Sequence, residues 1–480
     1  MIKQKHILYF VLIVVAAIAL LLYNPWLLYF QNDDMVHIPL SRDGILLQHN
    51  SFRPICDLSM MLDYRLYGKQ ACGYHLTNLT LHIVNSVLVF ITAKLFIKKY
   101  LPETDINLFA FTVGVLFWIY MNHDESVFWI LGRSAMLGML FFLPALHFYF
   151  CRKTGINFLF CILFCFLSWL SYESTLILPA IFFIISFSDI QEKKSKWKIE
   201  LKFLFVLAVA FIVYCCCRFY FMGLGSNYYN TGSEKNITIP FIIGSFIRLA
   251  IRSWLPPSGK EFLLTTGFVI LTVIITFWII KIKSIKKRII ILMLLLLWVI
   301  SLLPYLALSI DTKGVEGGRF LYLPSFFICM IISVLVLQLT SLSKTVMLLF
   351  ICVTNIWILF LHSKQYSFAG SVVKTTIKAV NSLKNKNTIY ALNVPQENFG
   401  ALIFRSGFTE GINWLKNKRT ADTVVQLSTS DKDLPLHKNY PVKYSNDLSL
   451  VNNINYKTYF TGSDVYFLYT DSCLIVIAPK

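Results

Sequence analysis

Charge is what this sequence has least of. Only 14% of its 480 residues are Asp, Glu, Lys or Arg, where a globular domain carries about a quarter. An ordinary soluble fold is excluded. Acids are the scarcer sign, 25 against 44 Lys and Arg. No internal repeat and no low-complexity tract runs through the chain, so solenoid and linker readings fall away. The 11 cysteines do not make a disulfide framework in a chain this long. Most of them (Cys161, Cys165, Cys215, Cys216, Cys217, Cys329, Cys352) lie inside apolar runs, where a thiol acts as a small hydrophobe. Cys56 and Cys72 share one loop, so a disulfide between them and two free thiols both stay open. A cleavable signal peptide is not expected, because the first apolar run is too long and lacks a small-residue cleavage site before Gln31.

What is present is apolar length. Apolar residues make up 56% of the chain, aromatics 16%, and the mean hydropathy is +0.64. A bilayer core takes about 20 mostly apolar residues per helix. Runs near 7–30, 76–97, 107–121, 133–150, 156–171, 174–188, 203–222, 262–280, 289–309, 320–340 and 345–361 predict about eleven spans. The net charge of +19 is not that of a nucleic-acid binder, since the basic residues sit in short clusters between apolar runs. Lys3 and Lys5, then Lys94, Lys98 and Lys99, then Arg152 and Lys153, the group Lys193–Lys202, the group Lys281–Arg288, and Lys344 all fall on one side. Positive loops stay inside, which predicts a cytoplasmic N-terminus. The segment 239–254, with Arg248 and Arg252 four residues apart, suits a helix lying on the outer surface rather than a span.

Past residue 362 the composition turns polar. Strand-like runs at Thr388–Val394, Ala401–Phe404 and Val424–Leu427 precede a hairpin, Val465–Tyr469 and Cys473–Ile477 around Thr470-Asp471-Ser472. The expected architecture is an all-α polytopic membrane protein over 1–362 and a small extracytoplasmic α/β domain over 363–480. The expected location is the cell (inner or plasma) membrane.

The loops opposite the lysine clusters carry the chemistry. Asn32-Asp33-Asp34 follows the first span; paired carboxylates there serve as a general base or hold a divalent cation beside a phosphate. The plain alternative is a helix-capping acid. His75, Asn78, His82 and Asn85 share one face of the second span and point into the bundle, toward a site or toward other helices. His123-Asp124-Glu125 with Arg133 offers an acid–base set and a phosphate ligand, or a polar loop with an anchoring arginine. Arg53 follows Ser51-Phe52, Glu173 sits in a tight turn, and Glu316-Gly317-Gly318-Arg319 opens a later span, its glycines allowing close approach to a ligand. Together these residues gather at one membrane face, as a phosphate-bearing substrate embedded in the membrane requires.

At this point a resemblance enters. Asp33-Asp34, Phe52-Arg53-Pro54 and Gly73-Tyr74-His75-Leu76-Thr77-Asn78 with His82 resemble the transmembrane-and-TPR-containing protein O-mannosyltransferases and their bacterial relatives, of the GT-C superfamily. In order, His123-Asp124-Glu125-Ser126-Val127 with Gly132-Arg133 is similar to that family's His-x-Glu-Ala-Val and Gly-Arg segment. Ser171-Tyr172-Glu173 resembles its Ser-Lys-Glu turn, and Arg319 with Leu321–Ser325 its Glu-Arg-x-Leu-Tyr-Leu-Pro-Ser segment. The likeness covers roughly residues 1–340. Tyr172 replaces the family's lysine and Gly318 its glutamate, so a phosphate contact is lost or replaced, with Glu316 the candidate substitute acid. No TPR repeats are present.

The resemblance implies inverting transfer of a sugar from a polyprenyl-phosphate donor to a hydroxyl of a glycan, lipid or protein acceptor. Asp33 or Asp34 would be the base. Arg133 and Arg319, with His123, would meet the departing phosphate. Arg53, His75, His82, Glu125, Glu173 and Glu316 complete the expected substrate-binding set. A cofactor is not required; a magnesium or manganese ion on Asp33 and Asp34 is compatible. Nucleic acid is not an expected partner. The rival readings are a lipid-linked glycan flippase, which needs polar groups through the membrane depth and on both faces, and a glycan polymerase or ligase.

Overall fold

The computed structural model describes residues 2–47, 52–151, 155–223, 238–383, 388–416, 424–430, 432–434, 440–446, 450 and 465–477. The apolar runs become helices, and polar breaks set their ends. Helix α1 (Ile2–Leu22) is followed by two short surface helices, α2 (Asp34–Arg42) and α3 (Pro54–Tyr67). Then come α4 (Ala71–Tyr100), α5 (Ile106–Trp118), the single turn α6 (Asp124–Phe128), α7 (Arg133–Phe150) and α8 (Gly155–Trp169). The bundle continues with α9 (Leu178–Gln191), α10 (Trp197–Met222), α11 (Ile239–Trp254), α12 (Glu261–Lys281), α13 (Ile285–Leu302), α14 (Tyr322–Val336) and α15 (Ser341–Ser382). Local chemistry fixes several starts. The Asp105 carboxylate caps α5 by accepting the Leu108 N–H at 3.1 Å, and proline opens α3 and α9.

Among the described residues nine helical segments are long and apolar enough to cross a membrane; α5 and α8 are shorter apolar helices. All eleven runs read from the sequence fall on these helices. Helix α14 is the hub: nearly every side chain from Tyr322 to Val336 is buried. Helix α12 is the opposite case, with Phe262, Val273, Phe277 and Ile280 all exposed. An apolar helix exposed along its length has lipid as its natural solvent. The protein is a multi-pass membrane protein.

Helix α15 runs for 42 residues, or about 63 Å at 1.5 Å per residue, twice the roughly 30 Å of a hydrocarbon core. The composition change near residue 362 therefore falls inside a continuous helix. Its second half stands clear of the apolar layer and backs a sheet. Strands β1 (Ile389–Leu392), β2 (Val394–Pro395), β3 (Glu397–Asn398) and β4 (Ala401–Leu402) precede helix α16 (Phe408–Leu415), then β5 (Val424–Gln426), β6 (Thr429–Ser430), β7 (Val442–Ser445), β8 (Val465–Tyr469) and β9 (Leu474–Ile477). The main sheet has the order β5-β1-β8-β9-β7, with β8 and β9 pairing as the antiparallel hairpin. Thr376 of α15 hydrogen-bonds the Tyr469 hydroxyl at 2.9 Å, seating the sheet on the helix.

Of the two states open for Cys56 and Cys72, the structure has both as free thiols. Polar groups are not confined to one end of the bundle. At the lysine-rich end Asp189 is wholly buried and takes Lys99 at 2.6 Å, the Tyr100 hydroxyl at 2.7 Å and the Tyr149 hydroxyl at 2.9 Å. Glu200, equally buried, lies 3.3 Å from the same Tyr149 hydroxyl. The sequence does not mark either acid, because their partners lie 40 to 90 positions away.

Candidate active site

The polar residues at the other end form a ring of loops, and the two neighbouring aspartates play different parts in it. Asn32 adopts a left-handed backbone, φ 48°, a conformation asparagine tolerates better than most residues. This turns the chain sharply into α2. Asp34 is fully buried. One of its oxygens accepts the Gln31 N–H at 3.0 Å, the other the Leu131 N–H at 3.3 Å. Burial pushes this carboxyl well above the usual carboxylate range and Asp33 adds to the rise; the two N–H groups and Arg133 pull against it. Asp34 is a strut between the 31–34 corner and the loop before α7.

Asp33 is half-buried. It stands at the N-cap position of α2, yet its side chain makes no capping hydrogen bond. Its Oδ1 instead accepts a hydrogen bond from the Ser406 hydroxyl of the C-terminal domain. The capping alternative left open by the sequence does not describe it.

The arginines divide in the same way. Arg133 is wholly buried, paired to Asp63 at 2.6 Å, and it donates to Asn78 Oδ1, Ser59 Oγ and the Tyr74 carbonyl at 3.0–3.1 Å. It joins α3, α4 and α7 and has no free direction toward a ligand. Arg319 pairs with Glu125 through its guanidinium at 2.5 Å and its backbone N–H at 2.9 Å, and its side chain keeps 21% of its surface exposed. The group lies over the rings of Trp129 and Phe320. Burial raises the Glu125 carboxyl, and the Arg319 charge counters that rise. Arg53 pairs with Glu173 at 2.6 Å, with 18% and 25% of the two side chains exposed, and lies 4.9 Å over the Tyr172 ring.

The histidines are internal. His82 contacts the Tyr322 hydroxyl at 2.8 Å and the Trp118 carbonyl at 3.1 Å. His123 meets Ser325 Oγ at 2.7 Å, and His75 meets the Tyr29 carbonyl at 3.3 Å. All three are buried. Burial first, and His82 second, hold the His123 imidazole well below its ordinary range. Asn78 donates to the carbonyls of Trp129 and Ile130, and Asn85 to that of Met136. The polar stripe on α4 thus holds loops and helices together.

Several participants were not visible in the sequence. Asp63 is the counter-charge of Arg133. Asp124 pairs with His362 of α15 at 2.9 Å. Arg252 of α11 is buried and donates to the carbonyls of Asp311 and Gly314 and to Asn122. Its position four residues after Arg248 suggested a surface pair, but it plugs into the loops. Glu316 turns outward to Arg405, at 2.6 and 3.1 Å.

Hydrogen bonds link the loops that carry Asp33, Glu125 and Arg319. Asp34 bonds Leu131, six residues from Glu125 on the same loop. Arg405 and Ser406, consecutive residues and so about 3.8 Å apart along the backbone, bond Glu316 and Asp33 respectively. Arg53 and Glu173 belong to a separate sector beside α8 and α10; Phe52 stacks on Phe221 there. Among the described residues no group of three His, Cys, Asp or Glu is placed to hold a metal ion. The adjacent aspartates do not fit one as a pair, because both oxygens of Asp34 already accept backbone N–H groups.

The chain is similar to the protein O-mannosyl-transferases. Tmtc1 of Drosophila melanogaster is 34% identical over 113 residues, TMTC3 of Homo sapiens 33% over 116, and TMTC2 of Homo sapiens 32% over 123. These stretches are 24–26% of this chain and only 11–13% of each relative. No family model matches. Among solved structures, ArnT from Cupriavidus metallidurans bound to undecaprenyl phosphate aligns over 87% of this chain and 86% of that one, with a TM-score of 0.38 and 9% identity. A side chain at Gly318 would meet the Asp124 carboxylate at 2.7 Å and the Asn122 carbonyl at 3.0 Å. The Tyr172 ring carries the Arg53 guanidinium.

Proposed function

We propose that this protein is a membrane glycosyltransferase of the GT-C type, moving a sugar with inversion from a polyprenyl-phosphate donor to an acceptor hydroxyl on the extracytoplasmic face. The N-terminus is then cytoplasmic and the C-terminal domain extracytoplasmic, as the lysine-rich loops require. Asp33 is the general base. It takes the proton of the acceptor hydroxyl as that oxygen attacks the anomeric carbon; the bond from that carbon to the phosphate oxygen breaks, and polyprenyl phosphate leaves. Arg319 meets the charge that develops on the phosphate, and Arg53 supplies a second cation from the neighbouring sector. No step uses a metal ion.

One observation carries the assignment. Of the four charged groups at Asp33, Asp34, Arg133 and Arg319, only Asp33 and Arg319 keep exposed surface. The test is purified protein incubated with a panel of polyprenyl-phosphate sugars, scoring released lipid phosphate and glycosylated acceptor. Release by wild-type protein and its loss in Asp33→Asn, with unchanged folding, supports the reading. Full release by Asp33→Asn removes it.

A further inference from the structure

Nothing in the sequence says what the C-terminal domain does. Its contact with the membrane body is specific. The Asn32 N–H donates to the Ile403 carbonyl at 2.8 Å, and the Ser406 N–H donates to Asn32 Oδ1 at 2.8 Å. The Ser406 hydroxyl lies 3.0 Å from that same Asn32 oxygen and hydrogen-bonds Asp33 Oδ1. A hydroxyl has one proton to give. The Asp33 carboxylate is a stronger acceptor than the Asn32 amide oxygen, so the hydroxyl proton goes to Asp33.

The fit around this contact leaves no slack. Gly407 has φ 73°, and a side chain there would meet Val36 Cγ2 at 2.8 Å and the Asn32 carbonyl at 3.0 Å. A side chain at Gly411 would strike Met35 at 2.4 Å. Glycine at both positions lets the 403–411 segment lie flat on α2. On its far side Arg405 is anchored by Glu316 and Glu397. The left-handed backbone of Asn32, which aims Asp33, is thus held from the C-terminal domain as well as by the Met35 N–H of α2.

We propose that the segment 403–407 completes the catalytic corner, and that Ser406 is a positioning residue for Asp33. This rests on Asp33 being the base. The Ser406 hydroxyl fixes one carboxylate oxygen and leaves Oδ2 for the acceptor proton. A base held in one rotamer needs no reordering as the acceptor arrives. On this proposal the C-terminal domain is part of the enzyme's chemistry and not only an appendage for acceptor capture.

The experiment compares wild type, Asp33→Asn, Ser406→Ala and Ser406→Thr in detergent or nanodiscs, measuring kcat, the KM for donor and the intact mass of each protein. A positioning role predicts a kcat lower by about 10-fold in Ser406→Ala with the donor KM unchanged, and recovery in Ser406→Thr, which keeps the hydroxyl. The Thr variant also covers the case in which the Ala variant fails to fold, since an active Thr variant ties activity to the hydroxyl. Wild-type kcat in a folded Ser406→Ala overturns the proposal while leaving Asp33 in place. A hexose adduct on Ser406 also overturns it, because the hydroxyl is then a substrate. Full activity in Asp33→Asn removes both the base and the residue that would position it.

Discussion

The pocket around Arg133 and the rim around Arg319 look alike in the sequence. Each is an arginine at the entrance to an apolar helix, a few residues from an acid. In the structure one is a joint and the other is a hand. Arg133 spends its guanidinium on Asp63, Asn78, Ser59 and Tyr74, none of it exposed. Arg319 is paired to Glu125, yet a fifth of its side chain faces outward between aromatic rings. The aspartates repeat the contrast one residue apart: Asp34 is enclosed by two backbone N–H groups, while Asp33 is half-buried and turned toward another domain. At a membrane surface, the exposure left after pairing separates a structural charge from a functional one.

Breaking the buried side should have the largest effect. Arg133→Met strands Asp63 as a buried, uncompensated charge, and removing one partner of such a pair costs about 3–5 kcal/mol. The expected result is a large fall in melting temperature and in folded yield. A variant with wild-type stability would show that Arg133 is not the joint described. Arg319→Gln should act on rate instead. Loss of one charge-stabilising donor typically lowers kcat by about 10²–10³-fold, and melting should change little. Burial already raises the Glu125 carboxyl against the pull of Arg319, and without that charge it rises further. A destabilised Arg319→Gln with normal kcat would reverse the two roles. The smallest effect belongs to Asp34→Asn. An amide cannot accept the N–H groups of both Gln31 and Leu131, which leaves one donor unsatisfied at about 1–3 kcal/mol. Thermal melts should show that loss, with activity retained in the protein that remains folded.

The sequence made the spans legible because a bilayer demands apolar length, and length is a local property of the chain. The 465–477 hairpin was legible for the same reason: strand, turn and strand are contiguous. The candidate site was legible as a set of loops and not as a set of roles. Asp63 lies 70 residues before its arginine, and His362 is far down the chain from Asp124. Ser406 is separated from Asp33 by 373 positions. Only the fold sets those pairings. The Cys56 and Cys72 question shows the same limit: sharing a loop permits a disulfide, but one residue ended up buried on α3 and the other at the start of α4, both as thiols.

The most direct measurement is sugar transfer by Asp33→Asn beside Asp34→Asn, each checked for folding and each offered the same polyprenyl-phosphate donors. Removing a general base costs about 10²–10⁴-fold, so Asp33→Asn should be folded and nearly inactive, while folded Asp34→Asn should keep most of its turnover. Equal turnover in Asp33→Asn and wild type would contradict the account.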